Sequence, residues 1–184
     1  MITPRSLIGA RAIADPRIDG GAFTGSTETA RLINSTLAGR DGPIGTLIAE
    51  TGGQNAMFVD SSALPEQVVH DAIYSAFNSA GQRCSALRVL FVQNEIAARV
   101  IRLLAAAMQE IQIGDPLLLA SDVGPLIDQD AARSLQPHVA RLQREARLLQ
   151  RIDPPQNLQA GCFFPLQAFE LESLALLEKE VFGP

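Results

Sequence analysis

A strand, a helix and a second strand follow one another in the first fifty residues, and this order constrains the fold more than any other feature. The run from Ile18 to Thr24 predicts a strand, and the turn at 25–27 leads into a predicted helix from about Glu28 to Leu37. Turn-forming residues at 39–43 precede a second predicted strand, Ile44 to Glu50. Because parallel strands are usually joined by a helical crossover, this order predicts half of a parallel, dinucleotide-type sheet in an α/β fold.

The rest of the chain also alternates between helical and extended apolar patterns. Pro65 opens a predicted helix with apolar residues at helical spacing, and Tyr74 is predicted to belong to its core face. Asn94 is predicted to cap the next helix, and the amphipathic stretch from Gln129 to Leu149 is predicted to present a solvated face. A boundary between lobes fits best between Gly52 and Asp60. Short strands are predicted at Ala56 to Val59, Leu87 to Gln93, Cys162 to Phe164 and Ala168 to Leu171.

Charge and cysteine content exclude several classes of protein. The 184 residues carry a net charge of −5, whereas nucleic-acid binding normally leaves a basic footprint, so no nucleic-acid partner is expected. Two cysteines at unrelated spacing favour reduced thiols, and His70 and His138 have no further ligand at metal spacing, so no metal is expected. With no signal peptide and no apolar run of transmembrane length, the sequence predicts a cytoplasmic protein without a membrane partner.

Cys84 is the candidate nucleophile of the chain. It follows Gly81-Gln82-Arg83 in a predicted break between a helix and a strand, 34 positions after Glu50. A thiolate nucleophile needs an accessible backbone and a nearby positive charge, which Gly81 and Arg83 can supply. The carboxylate of Glu50 is a group that can activate water against a thioester. These residues support covalent catalysis, and an inert core cysteine is the alternative.

Five motifs in order resemble those of the aldehyde dehydrogenase superfamily. They are Phe23 to Thr27, Glu50 to Gly53, Gly81 to Cys84, Gly114 to Pro116 with Gly124 to Ile127, and Glu180 to Pro184. A closer similarity, to the dehydrogenase module of bacterial bifunctional proline utilisation A proteins, lies in Glu50 to Ala56, Asp60 to Leu64 and Ser79 to Val89. That module oxidises glutamate semialdehyde, the open form of 1-pyrroline-5-carboxylate, to glutamate. The resemblance implies an α/β fold of the aldehyde dehydrogenase type.

The resemblance also implies a thiol mechanism. Cys84 would attack the aldehyde to give a thiohemiacetal, hydride would leave to the nicotinamide, and water would hydrolyse the resulting thioester. The backbone N–H of Cys84 would donate to the developing oxyanion, and Glu50 would be the general base. For Glu50 the alternative is a solvated residue at a strand end. Arg83 and Ser85, which flank the nucleophile, are the implied substrate-binding residues, with Ser85 at the substrate carboxylate.

The implied cofactor is NAD. Gly25 and Ser26 would approach its pyrophosphate, because a helix N-terminus favours an anion, and for Ser26 an ordinary helix cap is the alternative. Glu180 and Phe182 would hold the nicotinamide ribose and ring, the alternative being the charged end of a helix. FAD is implied only for a separate proline dehydrogenase module of the parent protein, not for this chain.

The resemblance implies two domains and an assembly. Residues 1–52 would be a partial NAD-binding domain with the C-terminal half of the cofactor-binding sheet, and residues 53–184 a catalytic domain truncated at its C-terminal end. Family enzymes are longer, so the chain is expected to be a fragment. A small aldehyde is the implied substrate, and a homo-oligomer is the implied assembly. The alternatives are a segment of another aldehyde dehydrogenase, or an inactive fragment that serves only in folding or oligomerisation.

Overall fold

A break in the packing after Gly53 divides the molecule into two units. The computed structural model describes residues 7–158 and 161–184, and the units are Met1–Gly53 and Gln54–Pro184. The break lies inside the segment from Gly52 to Asp60, where the sequence predicts a boundary. The assignment of cofactor binding to one domain and catalysis to the other stays a prediction.

The first unit contains the predicted strand–helix–strand arrangement, preceded by a short helix. The two strands pair in parallel, with Gly20 opposite Thr46 and Gly25 opposite Thr51. The predicted strands and helix are confirmed, with bounds that differ by one or two residues. The elements are α1 (Leu7–Ala14), β1 (Gly20–Gly25), α2 (Thr27–Ala38) and β2 (Thr46–Thr51).

The second unit combines one parallel and one antiparallel strand pair with three helices. Strands β3 and β4 pair in parallel and β5 and β6 pair antiparallel, where these strands and helices are β3 (Ala56–Val59), α3 (Pro65–Phe77), β4 (Val89–Val92), α4 (Asn94–Gln109), α5 (Gln129–Glu145), β5 (Arg147–Ile152) and β6 (Leu166–Glu170). A short 3-10 helix, Asn78–Gly81, follows α3 directly. This mixture of parallel strands and helices is the predicted α/β class.

Apolar side chains of the second unit bury themselves in two clusters. One cluster surrounds Met108 and Leu166, and the other surrounds Val100, and each of these three side chains has 0% of its surface exposed. Helix α4 carries Val100 and Met108, so its apolar stripe takes part in both clusters. Packing of α3 and α4 against the strands therefore fixes the ends of the segment 78–88, which carries Cys84.

Two local predictions in the second unit are wrong. Residues Cys162 to Phe164 form a turn and a loop instead of a strand. The carbonyl of Cys162 accepts a hydrogen bond from the backbone N–H of Leu126 at 2.9 Å, outside any strand ladder. Helix α4 has Gln93 as its cap and begins at Asn94, so Asn94 is the first helical residue and not the cap.

The amphipathic stretch from Gln129 combines a helix with a strand. Helix α5 ends at Glu145, the backbone of Ala146 is extended, and β5 begins at Arg147. Arg147 lies opposite Glu170 of β6 and forms an ion pair with it. The predicted stretch from Gln129 to Leu149 thus changes from helix to strand after Glu145, and its residues 147 and 148 are exposed as a solvated face requires.

The described helices and side-chain clusters limit two further kinds of structure. The longest described helix is α5 with 17 residues, whereas a membrane-crossing helix needs about 20 apolar residues. In the described part of the chain, no helix has both the length and the apolar character to cross a membrane. The same residues contain no group of three or more histidine, cysteine, aspartate or glutamate side chains that could hold a metal ion.

Candidate active site

Three of the predicted residues lie at one edge of the first unit's sheet. Gly25 ends β1, Ser26 follows it, and Glu50 is the next-to-last residue of β2, opposite Thr24. The strands are parallel, so this edge carries the carboxyl ends of both. Ligands of open α/β sheets bind at this kind of edge. The register therefore brings Gly25, Ser26 and Glu50 to the part of the sheet where a ligand is expected.

Ser26 caps helix α2. Its backbone is extended, and its Oγ accepts a hydrogen bond from the backbone N–H of Thr29 at 3.2 Å. The alternative of an ordinary helix cap is therefore confirmed. The backbone N–H groups of a first helical turn have no intrahelical partner, and a cap residue accepts from only some of them. These groups also carry the positive end of the helix dipole. An anion at this edge would meet those N–H groups.

Cys84 lies at the tip of a turn in the second unit. The backbone N–H of Ala86 donates to the carbonyl of Arg83 at 3.1 Å, so Cys84 and Ser85 are the two central residues of the turn. Both are exposed, and the Cys84 thiol is free. No described residue accepts a hydrogen bond from the backbone N–H of Cys84. The turn thus presents a thiol and a backbone donor to solvent. The alternative that Cys84 is an inert core cysteine therefore does not hold.

Three successive residues with positive φ precede this turn. Ser79, Ala80 and Gly81 have φ values of 57°, 51° and 64°. The left-handed conformation costs a residue other than glycine about 1–2 kcal/mol, so Ser79 and Ala80 are strained. Ala80 is buried, and the carbonyl of Ser79 accepts the backbone N–H of Gln82 at 3.0 Å. Strained backbone of this kind concentrates at functional sites.

Asn55 fixes the backbone of the turn. Its Nδ2 donates to the carbonyl of Cys84 at 2.6 Å and to that of Ala86 at 2.9 Å. Its own carbonyl accepts the backbone N–H groups of Arg88 and Val89, both at 3.0 Å. Because both side-chain partners are carbonyl oxygens, the amide nitrogen must face them. The sequence analysis missed this residue, which stands at the end of the second unit's first loop.

Replacing Asn55 with aspartate tests this arrangement. The two side chains have the same shape, but a carboxylate has no donor and would face two carbonyl oxygens. We expect the free energy of unfolding to fall by about 2 kcal/mol or more, measured by urea unfolding. The matched control is Gln54→Glu at the exposed neighbouring amide, expected to change stability by less than about 0.5 kcal/mol. Equal losses in the two variants would contradict the role of Asn55.

Arg83 binds the end of helix α3. Its Nη2 donates to the carbonyls of Tyr74 and Ser75, both at 3.2 Å, and its guanidinium carbon lies 5.9 Å from the centre of the Tyr74 ring. Tyr74 is 62% exposed, so the prediction that it belongs to the core is wrong. Arg83 adds a donor at the end of α3, where the Tyr74 carbonyl also accepts the backbone N–H of Asn78 and the Ser75 carbonyl accepts that of Leu87. Its role toward a substrate stays a prediction.

Arg88 is the second residue that the sequence analysis missed. Its side chain is 9% exposed, and it donates to the carbonyls of Gly81 at 2.7 Å and Gly183 at 3.0 Å. Its guanidinium carbon lies 5.6 Å from the centre of the Phe182 ring. Burial lowers the pKa of Arg88 from its usual value, and the charge of Glu180 acts in the opposite direction. The sequence feature that could have identified Arg88 is a cation directly before the apolar strand β4.

The segment 180–183 holds two of the predicted cofactor-binding residues. It is irregular, so the alternative of a charged helix end does not hold. The Oε1 atom of Glu180 lies 3.9 Å from Nη2 of Arg88, is buried, and has no hydrogen-bond partner among the described residues. A buried acceptor without a donor fits a ligand hydroxyl such as that of a ribose. The ring of Phe182 is partly exposed beside it.

Comparison with known sequences points to one family. The model described as "Aldehyde dehydrogenase family" matches residues 1–184. "Bifunctional protein PutA" of Salmonella typhimurium is 48% identical over 185 residues, which cover 96% of this chain and 14% of that protein. The protein of the same name from Rhizobium meliloti is 46% identical over 181 residues, 96% of this chain and 15% of that protein. The chain thus spans 14% to 15% of the length of these relatives.

Comparison with solved structures gives the same answer for the fold. A crystal structure of a proline utilization A (PutA) mutant from Bradyrhizobium japonicum matches with a TM-score of 0.92 and 54% identity, over 96% of this chain and 18% of that one. A mutant of aldehyde dehydrogenase C from Pseudomonas syringae, solved with NAD⁺ and octanal, matches with a TM-score of 0.87 and 25% identity. That match covers 96% of this chain and 37% of the other. The predicted α/β fold of this type is confirmed.

Proposed function

Because the chain belongs to the aldehyde dehydrogenase family, we propose that it is the nucleophile-bearing part of an NAD-dependent enzyme that oxidises glutamate semialdehyde to glutamate. The observation that carries the proposal is the exposed Cys84 thiol at the tip of a turn whose carbonyls are fixed by Asn55. The substrate follows from the similarity to proteins named for proline utilization, since glutamate semialdehyde is the aldehyde stage of proline breakdown.

Cys84 is the proposed nucleophile. Its thiolate attacks the aldehyde carbon, a C–S bond forms, and the carbonyl electrons move to the oxygen. The backbone N–H of Cys84 donates to that oxygen, since it has no acceptor among the described residues. Asn55 holds the carbonyl of Cys84 and so fixes the plane of the Cys84–Ser85 peptide, which limits the rotation of the backbone on one side of the nucleophile.

NAD is the proposed cofactor, and the described residues fit two of its parts. The N–H groups at the start of α2, next to Gly25 and Ser26, bind the pyrophosphate, and Glu180 accepts a ribose hydroxyl beside Phe182. NAD, when bound, supplies the hydride acceptor that turns the thiohemiacetal into a thioester. Two observations support these assignments, the buried Oε1 of Glu180 without a hydrogen-bond partner among the described residues and the dipole at the start of α2.

Three further side chains complete the proposal. Ser85 shares the exposed tip of the turn with Cys84, and its hydroxyl donates to the substrate carboxylate. Arg83 adds positive potential next to the turn while its guanidinium binds helix α3. Glu50, exposed at the carboxyl end of β2, takes a proton from the water that hydrolyses the thioester.

We also propose that the working enzyme is a cytoplasmic homo-oligomer.

The Glu50→Gln variant tests the proposed reaction. Given NAD and glutamate semialdehyde, the assembled enzyme that contains the unmodified chain is expected to form NADH over many turnovers. In the variant an amide replaces the general base, so NADH formation should stop at about one per chain while the thioester persists. Rapid-mixing absorbance of NADH measures both the first turnover and the steady rate.

Two comparisons make this test specific. Glu95→Gln changes an exposed carboxylate in the first turn of α4 and should leave the steady rate unchanged. A short aldehyde without a carboxylate should react more slowly than glutamate semialdehyde, and Ser85→Ala should narrow that difference. An assembled enzyme that contains the unmodified chain and forms no NADH from any aldehyde contradicts the proposed function, as does a Glu50→Gln variant with a full steady rate.

A further inference from the structure

Arg88 joins two segments that are far apart in sequence. Its two terminal nitrogens reach the carbonyl of Gly81, just before the Cys84 turn, and the carbonyl of Gly183, 95 residues away. A third carbonyl, that of Arg83 at the start of the turn, lies 3.5 Å from Nη2. One guanidinium thus contacts both the loop that carries the nucleophile and the segment 180–183.

The chemistry of the guanidinium suits this position. Its planar group offers five donors at fixed angles, whereas a lysine ammonium is a compact point charge. The Arg88 side chain is 9% exposed, and burial of a cation is costly unless acceptors surround it. Here the acceptors are the carbonyls of Gly81 and Gly183, with a longer contact to that of Arg83 and the carboxylate of Glu180 at 3.9 Å, whereas Nε has no partner among the described residues. The buried charge therefore requires both segments to be in place.

Direct packing of the two segments adds a second constraint. A Cβ atom on Gly81 would lie 2.4 Å from the carbonyl oxygen of Gly183, so the two backbones approach as closely as glycine allows. A Cβ atom on Gly183 would lie 2.4 Å from Cδ1 of Leu135, a buried residue of α5. Segment 180–183 is therefore held between the nucleophile loop on one side and α5 on the other.

We propose that Arg88 is a positioning residue that couples the Cys84 turn to segment 180–183, so that neither can move without the other. The coupling also affects the cofactor, and this part rests on the proposed function, in which Glu180 and Phe182 contact the nicotinamide ribose and ring. Arg88 acts through these segments and touches no reacting atom. Loss of Arg88 releases both segments together and misplaces the cofactor contacts relative to the thiol.

Hydrogen exchange of the whole chain measures the coupling without substrate or cofactor. In Arg88→Met we expect exchange of the hydrogen-bonded amides of Gln82, Ala86 and Leu87 to rise by about tenfold, while exchange in α4 is unchanged. For segment 180–183 the readout is cleavage by trypsin after the exposed Lys179, which should become faster by about the same factor. Arg88→Lys keeps the charge and the fold but not the planar donors, so exchange in the Cys84 loop and cleavage after Lys179 should both become faster in this variant as well. The control, Arg99→Met, removes an exposed ion pair with Glu66 and should change neither.

Two further readouts separate positioning from mere stability. Alkylation of Cys84 by iodoacetamide should change in rate in both Arg88 variants and not in Arg99→Met. In the active assembly, KM for NAD should rise more than kcat falls. Faster exchange in the Cys84 loop without faster cleavage after Lys179, the reverse, or no change in either measurement overturns the coupling. An assembled enzyme that contains the unmodified chain and forms no NADH overturns the proposed function instead, because the exchange and cleavage results do not depend on activity.

Discussion

Replacing Cys84 with alanine is expected to abolish aldehyde oxidation and to remove the thiol that iodoacetamide modifies first. The thiolate is the only proposed nucleophile, and its loss leaves no group to form the covalent intermediate, so a loss of activity of at least about a thousandfold is expected. Cys84 is exposed at the tip of its turn, whereas Cys162 is half-buried among the residues around Leu166. Mass spectrometry of the intact chain after brief alkylation gives the modified fraction.

Cys162→Ala provides the matched control for this prediction. It removes the other thiol of the chain and should leave both the rate of alkylation and the rate of NADH formation unchanged. Because Cys84 is exposed, Cys84→Ala should also unfold at nearly the same urea concentration as the unmodified chain. Rapid alkylation that persists in Cys84→Ala would show that Cys162 is the reactive thiol and would remove the basis of the proposed function.

Replacing Leu166 with alanine is expected to cause the largest loss of stability. Leu166 begins β6, has 0% of its surface exposed, and packs in the cluster that also contains Met108 and Phe77. Deleting its branched end removes buried contacts and leaves a cavity, which typically costs about 2–5 kcal/mol. Urea unfolding followed by circular dichroism measures the change, provided that the slope of the transition is the same in both proteins.

Leu119→Ala is the corresponding surface variant. The substitution is identical, but Leu119 is 108% exposed in the loop before Gly124, so the expected change is within about 0.5 kcal/mol. A similar loss at both positions would mean that the variants act on the unfolded chain, and a small loss at Leu166 would contradict the described core. The comparison therefore separates burial from the chemistry of leucine.

Local patterns predicted much of the fold and the position of the nucleophile. The strand–helix–strand order of the first unit follows from periodicity and turn residues, which act over a few positions along the chain. The same holds for the break that carries Cys84, since Gly81 supplies a positive φ there. The resemblance named Gly25, Ser26 and Glu50, and the parallel register places them at one sheet edge.

Contacts between distant segments could not be predicted in this way. Asn55 meets Cys84 across 29 positions, and Arg88 meets Gly183 across 95, so neither contact leaves a periodic signal. Strand β5 was missed for the same reason, because its partner β6 lies beyond a loop. The prediction that Tyr74 belongs to the core was wrong because its ring, at the edge of the apolar stripe of α3, lies against the guanidinium of Arg83.

The hydrogen bonds around the Cys84 turn have a consequence for the entropy of binding. A free loop of this length loses about 1–2 kcal/mol of backbone entropy per residue when it is ordered. Here Asn55 and the positive φ values of residues 79–81 restrict the loop as part of folding. An incoming aldehyde then meets a nucleophile whose backbone is already ordered, so its binding energy is available for the reaction itself.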